Sequence, residues 1–90
     1  MPERTDQTPD VHTLLNQVAD RLDEKYAHKP MLEPLALAQA LVVAEHTHGP
    51  TPAADAAERA IVATLPPIRT GDTRAEYAAR VRLIAQEVAA

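Results

Sequence analysis

The 90-residue chain contains no cysteine, no serine, no phenylalanine and no tryptophan. Without cysteine there is no disulfide, no thiolate metal site and no thiol nucleophile, and the chain fits any redox compartment. Without serine, a Ser-His-Asp triad is excluded. Gly49 and Gly71 are the only glycines, which rules out a Gly-rich phosphate loop. Tyr26 and Tyr77 are the only aromatics, and much of the 46% hydrophobic share is alanine. A buried alanine contributes about one methyl group, against roughly 1.5–3 kcal/mol for a buried Leu or Val. The core is therefore thin, and small chains with thin cores gain burial by self-association.

Long apolar runs are also scarce. The longest is Pro34-Leu35-Ala36-Leu37-Ala38-Gln39-Ala40-Leu41-Val42-Val43-Ala44, well short of the ~20 residues needed to cross a bilayer. At about 100° per residue its leucines and valines fall on every side of a helix, and a helix that is apolar all round is expected to be buried all round. This run predicts the central helix of a small bundle. Net charge is −4 and unevenly placed: residues 1–57 sum to −5 and residues 58–90 to +1. An acidic half repels nucleic acid and anionic membrane, so neither is the favoured partner. The opening residues Met1 to Thr8 are polar and resemble no signal peptide, which makes the cytoplasm the expected location.

Four short helices are predicted, at about 9–27, 33–48, 52–65 and 73–89. Residues 1–7 read as a flexible polar arm, and 8–90 as one helical domain. Thr8-Pro9-Asp10 is a helix opening, with a capping hydroxyl followed by Pro. Val11, Leu14, Leu15, Val18, Leu22 and Tyr26 then span an arc of about 120°. His28-Lys29-Pro30 stops this helix. The second begins near Pro30 or, more cleanly, with Glu33 as cap and Pro34 as first residue, and ends at Gly49-Pro50. Thr51-Pro52 opens the third, with Ala54, Ala57, Ile61 and Leu65 on one stripe. Pro66-Pro67 ends it. Thr73-x-x-Glu76 is a capping box for the fourth, whose Tyr77, Val81, Ile84 and Val88 form a narrow seam. Nothing reads as strand.

Helices three and four each show a second, small-residue face. Ala56, Ala60 and Ala63 lie on one, and Ala75, Ala79 and Leu83 on the other. These six are the candidate interface, against the plainer reading that surface alanines supply helix propensity.

Three constellations bear on chemistry. Glu45 and His48 share a helix face at the Glu-x-x-His spacing of carboxylate di-iron proteins, although a His in a last turn already interacts favourably with the helix dipole. Arg69, Arg74, Arg80 and Arg82 surround the start and middle of the fourth helix and suit phosphate or carboxylate. The three on the helix fan out at about 60°, 300° and 140° rather than along one stripe. Salt bridges to the acidic half are their expected use. Gln39, the lone polar residue of the central run, is expected to meet water at the bundle edge, with a pocket wall or register contact as the alternative. His12 and His28 read as surface residues. A small acidic four-helix chain invites comparison with acyl carrier proteins, which hold pantetheine on the serine of an Asp-Ser-Leu motif. A chain without serine cannot do so.

No pair of groups reads as nucleophile plus base, so no enzyme and no cofactor is expected. The expected function is a non-catalytic protein–protein interaction module or small accessory protein, a homodimer through helices three and four. The alternatives are a small nucleic-acid-binding regulator using the fourth-helix arginines and a metal-binding protein using Glu45 and His48.

Overall fold

The computed structural model describes residues 10–89. The expected arm over 1–7 and the Thr8 cap lie outside the described residues. Asp10 caps α1 (Val11–Glu24): its Oδ1 accepts the Thr13 amide and the Thr13 hydroxyl, each at 3.0 Å. These two bonds hold the Asp10 carboxyl below its ordinary range. Leu14, Leu15, Val18, Ala19 and Leu22 are buried, as the periodicity requires. The helix stops at Glu24, three residues short of the expected end. Tyr26 adopts φ 57 and is 60% exposed, so it leaves the stripe on which its spacing placed it.

α2 (Glu33–His48) starts where the sequence suggested, with Leu32 rather than Glu33 as N-cap residue. It closes at Gly49, whose φ of 69 and ψ of −172 lie in a positive-φ region that is essentially glycine's alone. The Gly49 amide donates to the Glu45 carbonyl at 2.7 Å, and the Thr51 hydroxyl to the His48 carbonyl at 3.1 Å. α3 (Pro52–Thr64) buries Ala54, Ala57 and Ile61, with Leu65 packed against the core beyond its end. α4 (Arg74–Ala89) opens with the capping box realised in both directions. The Thr73 amide donates to Glu76 Oε1 at 2.9 Å, and the Glu76 amide to Thr73 Oγ1 at 3.1 Å. The all-α reading holds: four helices and, among the described residues, one isolated bridge between Pro30 and Thr73 but no strand. No helix among the described residues is long and apolar enough to cross a membrane.

The packing centre is α1. α4 lies along α1, α3 along α2, and α1 alone meets all three other helices closely. α1 and α4 run antiparallel: His12 Nδ1 bonds the Ala85 carbonyl at one end (3.0 Å), and the Ala75 amide donates to the Ala27 carbonyl at the other (2.9 Å). The carbonyl can only accept, so Nδ1 carries the proton there. His12, expected on the surface, is thus a half-buried tie between two helices. Tyr77 and Val81 are buried, Ile84 half-buried and Val88 exposed, because Ala78 and Ala85 turn the contact toward the small side of α4.

The expectation of a buried second helix is corrected. α2 meets α3 on one side and α1 along an edge, and its remaining half faces solvent. Its buried residues are Ala36, Ala40, Val43 and Ala44. Leu37, Leu41 and Val42 are exposed by 44%, 40% and 38%. An all-round apolar helix carries no directional signal, and the small residues decided which side came closest. Alanines of α2 sit against Ala54, Ala57 and Ile61 of α3 in one core, a contact that bulkier side chains would hold apart.

Candidate functional site

α2 buries Ala36, Ala40, Val43 and Ala44 and turns Leu37, Leu41 and Val42 outward, with Leu35 half-buried against the core. Leu37, Ala38, Leu41 and Val42 form an exposed face with no charged residue between Glu33 and Glu45. At one end this face runs into an apolar groove of about 560 Å³. Met31 and Tyr77 lie at its base, Leu32, Leu37 and Val62 line it, and Pro66 and Pro67 close it. Leu32 is 59% exposed. Scattered exposed leucines are ordinary, whereas a contiguous apolar strip is the usual mark of a contact surface.

The base of that groove is fixed by polar contacts. The Tyr77 hydroxyl donates to the Pro66 carbonyl at 2.7 Å. Burial pushes the Tyr77 phenol above its ordinary range, which keeps the donor proton in place. Arg80 stands 5.4 Å over the same ring, within cation–π range. It grips Asp72 with both Nη atoms, at 2.8 and 2.9 Å, and donates to the Pro67 carbonyl at 2.7 Å. Asp72 Oδ2 also accepts the Arg69 amide at 2.7 Å. The Arg80 guanidinium first, and then that amide, hold the Asp72 carboxyl below its usual range.

The sequence-predicted residues separate. Ala56, Ala63, Ala79 and Leu83 are exposed, and Ala60 and Ala75 half-buried. α3 packs chiefly on α2, and α4 on α1. Leu83 is the only large residue among these six. Arg80 is committed to Asp72. Arg82 bonds Asp20 at 3.0 Å and Asp23 at 3.1 Å, the use the sequence suggested for it. Exposed pairs of that kind contribute less than about 1 kcal/mol. Arg69 lies exposed in the loop before α4. Glu45 and His48 stand as a pair, and among the described residues no group of three His, Asp or Glu side chains converges.

Arg74 goes elsewhere. With Arg21, Lys25, Tyr26, Leu35 and Gln39 it lines a pocket of about 420 Å³ between the end of α1 and α2. Gln39 Oε1 accepts Arg21 Nε at 2.6 Å, so the lone amide of α2 is a pocket wall rather than a water contact. The Arg74 guanidinium lies 5.8 Å from the Tyr26 ring, and Lys29 Nζ 5.9 Å from it. Tyr26 pays for its left-handed backbone, a conformation costing a bulky residue roughly 1–3 kcal/mol. Bonds from the Lys29 amide to the Tyr26 carbonyl (2.9 Å) and from the Arg74 amide to the Lys29 carbonyl (3.0 Å) hold the segment there. Arg74 reaches this cluster from nearly fifty residues away, and no motif in the sequence signals that meeting. No family model, curated protein or solved structure matches the chain.

Proposed function

We propose that the protein is a non-catalytic interaction module that pairs with a second copy of itself through the outer face of α2. The observation that carries this reading is the distribution on that helix: Ala36, Ala40, Val43 and Ala44 are buried, whereas Leu37, Leu41 and Val42 are exposed. A soluble helix that exposes its larger apolar side chains gains their burial only from a partner. Along α2 the strip itself carries no charge between Glu33 and Glu45, and the charged Asp20 and Arg21 of α1 flank it beside Val42. In an antiparallel two-fold arrangement centred between Gln39 and Ala40, Leu37 faces Val42 and Ala38 faces Leu41. Each apolar residue meets an apolar residue, and the Ala38–Leu41 pair sets small against large, as a self-complementary contact requires. A cytoplasmic location belongs to the same proposal.

The absence of cysteine makes the test clean. Ala38→Cys places the sole thiol in the middle of the strip, and Ala79→Cys places it on exposed α4. In the antiparallel register the two thiols introduced at position 38 are offset by three residues, about 4.5 Å along the helix. A short bis-maleimide that spans the offset is therefore expected to link the Ala38 variant rapidly and the Ala79 variant only slowly. Equal rates for the two would overturn the assignment to α2.

A further inference from the structure

The pocket beside Tyr26 is a patch of positive charge on a protein of net charge −4. Arg21, Lys25 and Arg74 line it against Glu24 alone, with Lys29 at the Tyr26 ring. The two arginines further along α4 behave differently: Arg80 and Arg82 are each paired with carboxylates. Among the described residues, no ion pair is made by Arg21, Lys25, Lys29 or Arg74. Arg74 Nε is covered from solvent and has no hydrogen-bond partner. Gln39 holds Arg21 through Nε and leaves its terminal nitrogens available. Guanidinium groups held in place without a carboxylate are pre-organised for an anion.

We propose that this pocket binds a phosphate group carried by a small molecule. Its volume of about 420 Å³ falls within the ordinary range for small-molecule sites, about 300–1,000 Å³. The surroundings argue against a polyanion: Arg80 and Arg82, further along α4, are paired with carboxylates, so no track of free cations leads from the pocket along that helix, as successive phosphates of a strand would need. The strained backbone of Tyr26 fits the same purpose, because it sets the ring between the Lys29 and Arg74 cations at the pocket rim. This site does not depend on the pairing of α2.

The test is an amide-resolved NMR titration with inorganic phosphate and, separately, with a nucleoside monophosphate, against chloride at matched ionic strength. Saturable shifts confined to residues 21–29, Gln39 and 74–75 are expected, with a phosphate-dependent rise in melting temperature. Lys25→Gln, at the exposed residue that follows the last turn of α1, is expected to weaken binding about tenfold. Arg69→Gln, an exposed arginine outside the pocket, should change nothing. Shifts equal to those with chloride, or unaltered by Lys25→Gln, would overturn the site. A single-stranded oligonucleotide that binds more tightly than either small phosphate would overturn the small-molecule assignment.

Discussion

Placing the packing centre on α1 rather than α2 has a direct energetic consequence for two leucines. Leu15 on α1 is fully buried, whereas Leu41 on α2 is 40% exposed. Leu15→Ala leaves a cavity and is expected to cost about 2–5 kcal/mol. A domain of this size has a total stability of roughly 5–13 kcal/mol. A loss of about 3 kcal/mol would lower the melting temperature by roughly 12–24 °C. Leu41→Ala removes three carbons that are a little over half buried and opens no closed cavity, so its cost to the monomer is at most about 1.4 kcal/mol at ~0.8 kcal/mol per buried carbon. Urea denaturation followed by circular dichroism measures both. The Leu15 penalty should appear at every protein concentration. The Leu41 penalty should be small in dilute protein and grow with concentration, as pairing contributes to wild-type stability. If Leu41→Ala proves as costly as Leu15→Ala in dilute protein, α2 is central after all and its exposed face is not a docking surface.

Two further outcomes follow from the polar contacts beneath the groove. Tyr77→Phe removes the hydroxyl that serves the Pro66 carbonyl and should cost about 0.5–1.5 kcal/mol in thermal or chemical denaturation; no change would mean that the bond does not hold the 65–68 segment. The Asp72 carboxyl titrates lower in the folded chain than in the unfolded one. Its contribution is therefore complete above the unfolded carboxylate value of about 3.9 and is lost as pH falls through the lower, folded value. Melting curves against pH should show that decline in wild type and a shallower one in Asp72→Asn, and identical slopes would refute the Asp72–Arg80 linkage.

Much of the fold was legible because it is written locally. The Thr73–Glu76 box, the Gly49-Pro50 stop and the Pro52 start each depend on neighbours within four residues, and each stands where it was expected. The buried faces of α1 and α3 were legible because their apolar residues recur at helical spacing. α2 was not, because residues apolar on every side leave orientation to the partner helices. The apolar spacing of α1 also ran on to Tyr26, past the real end of the helix, since periodicity does not register a single left-handed residue. Leu83, the one large candidate interface residue on α4, is exposed, and so are Leu37 and Leu41 on α2, where the all-round apolar pattern gives no sign of which side faces out. Arg21 and Lys25 are neighbours at i, i+4, but Arg74 joins them only through tertiary contact, and Arg80 reaches a loop aspartate eight residues back; no spacing rule predicts these last two.

The most direct test is the molar mass in solution by light scattering, for the wild type, Leu41→Glu and Leu83→Glu. A dimeric wild type, a monomeric and still helical Leu41→Glu, and a dimeric Leu83→Glu are the predicted set. A wild type that stays monomeric at high concentration, or a dimer broken by Leu83→Glu and untouched by Leu41→Glu, would contradict the claim that α2 presents the docking face.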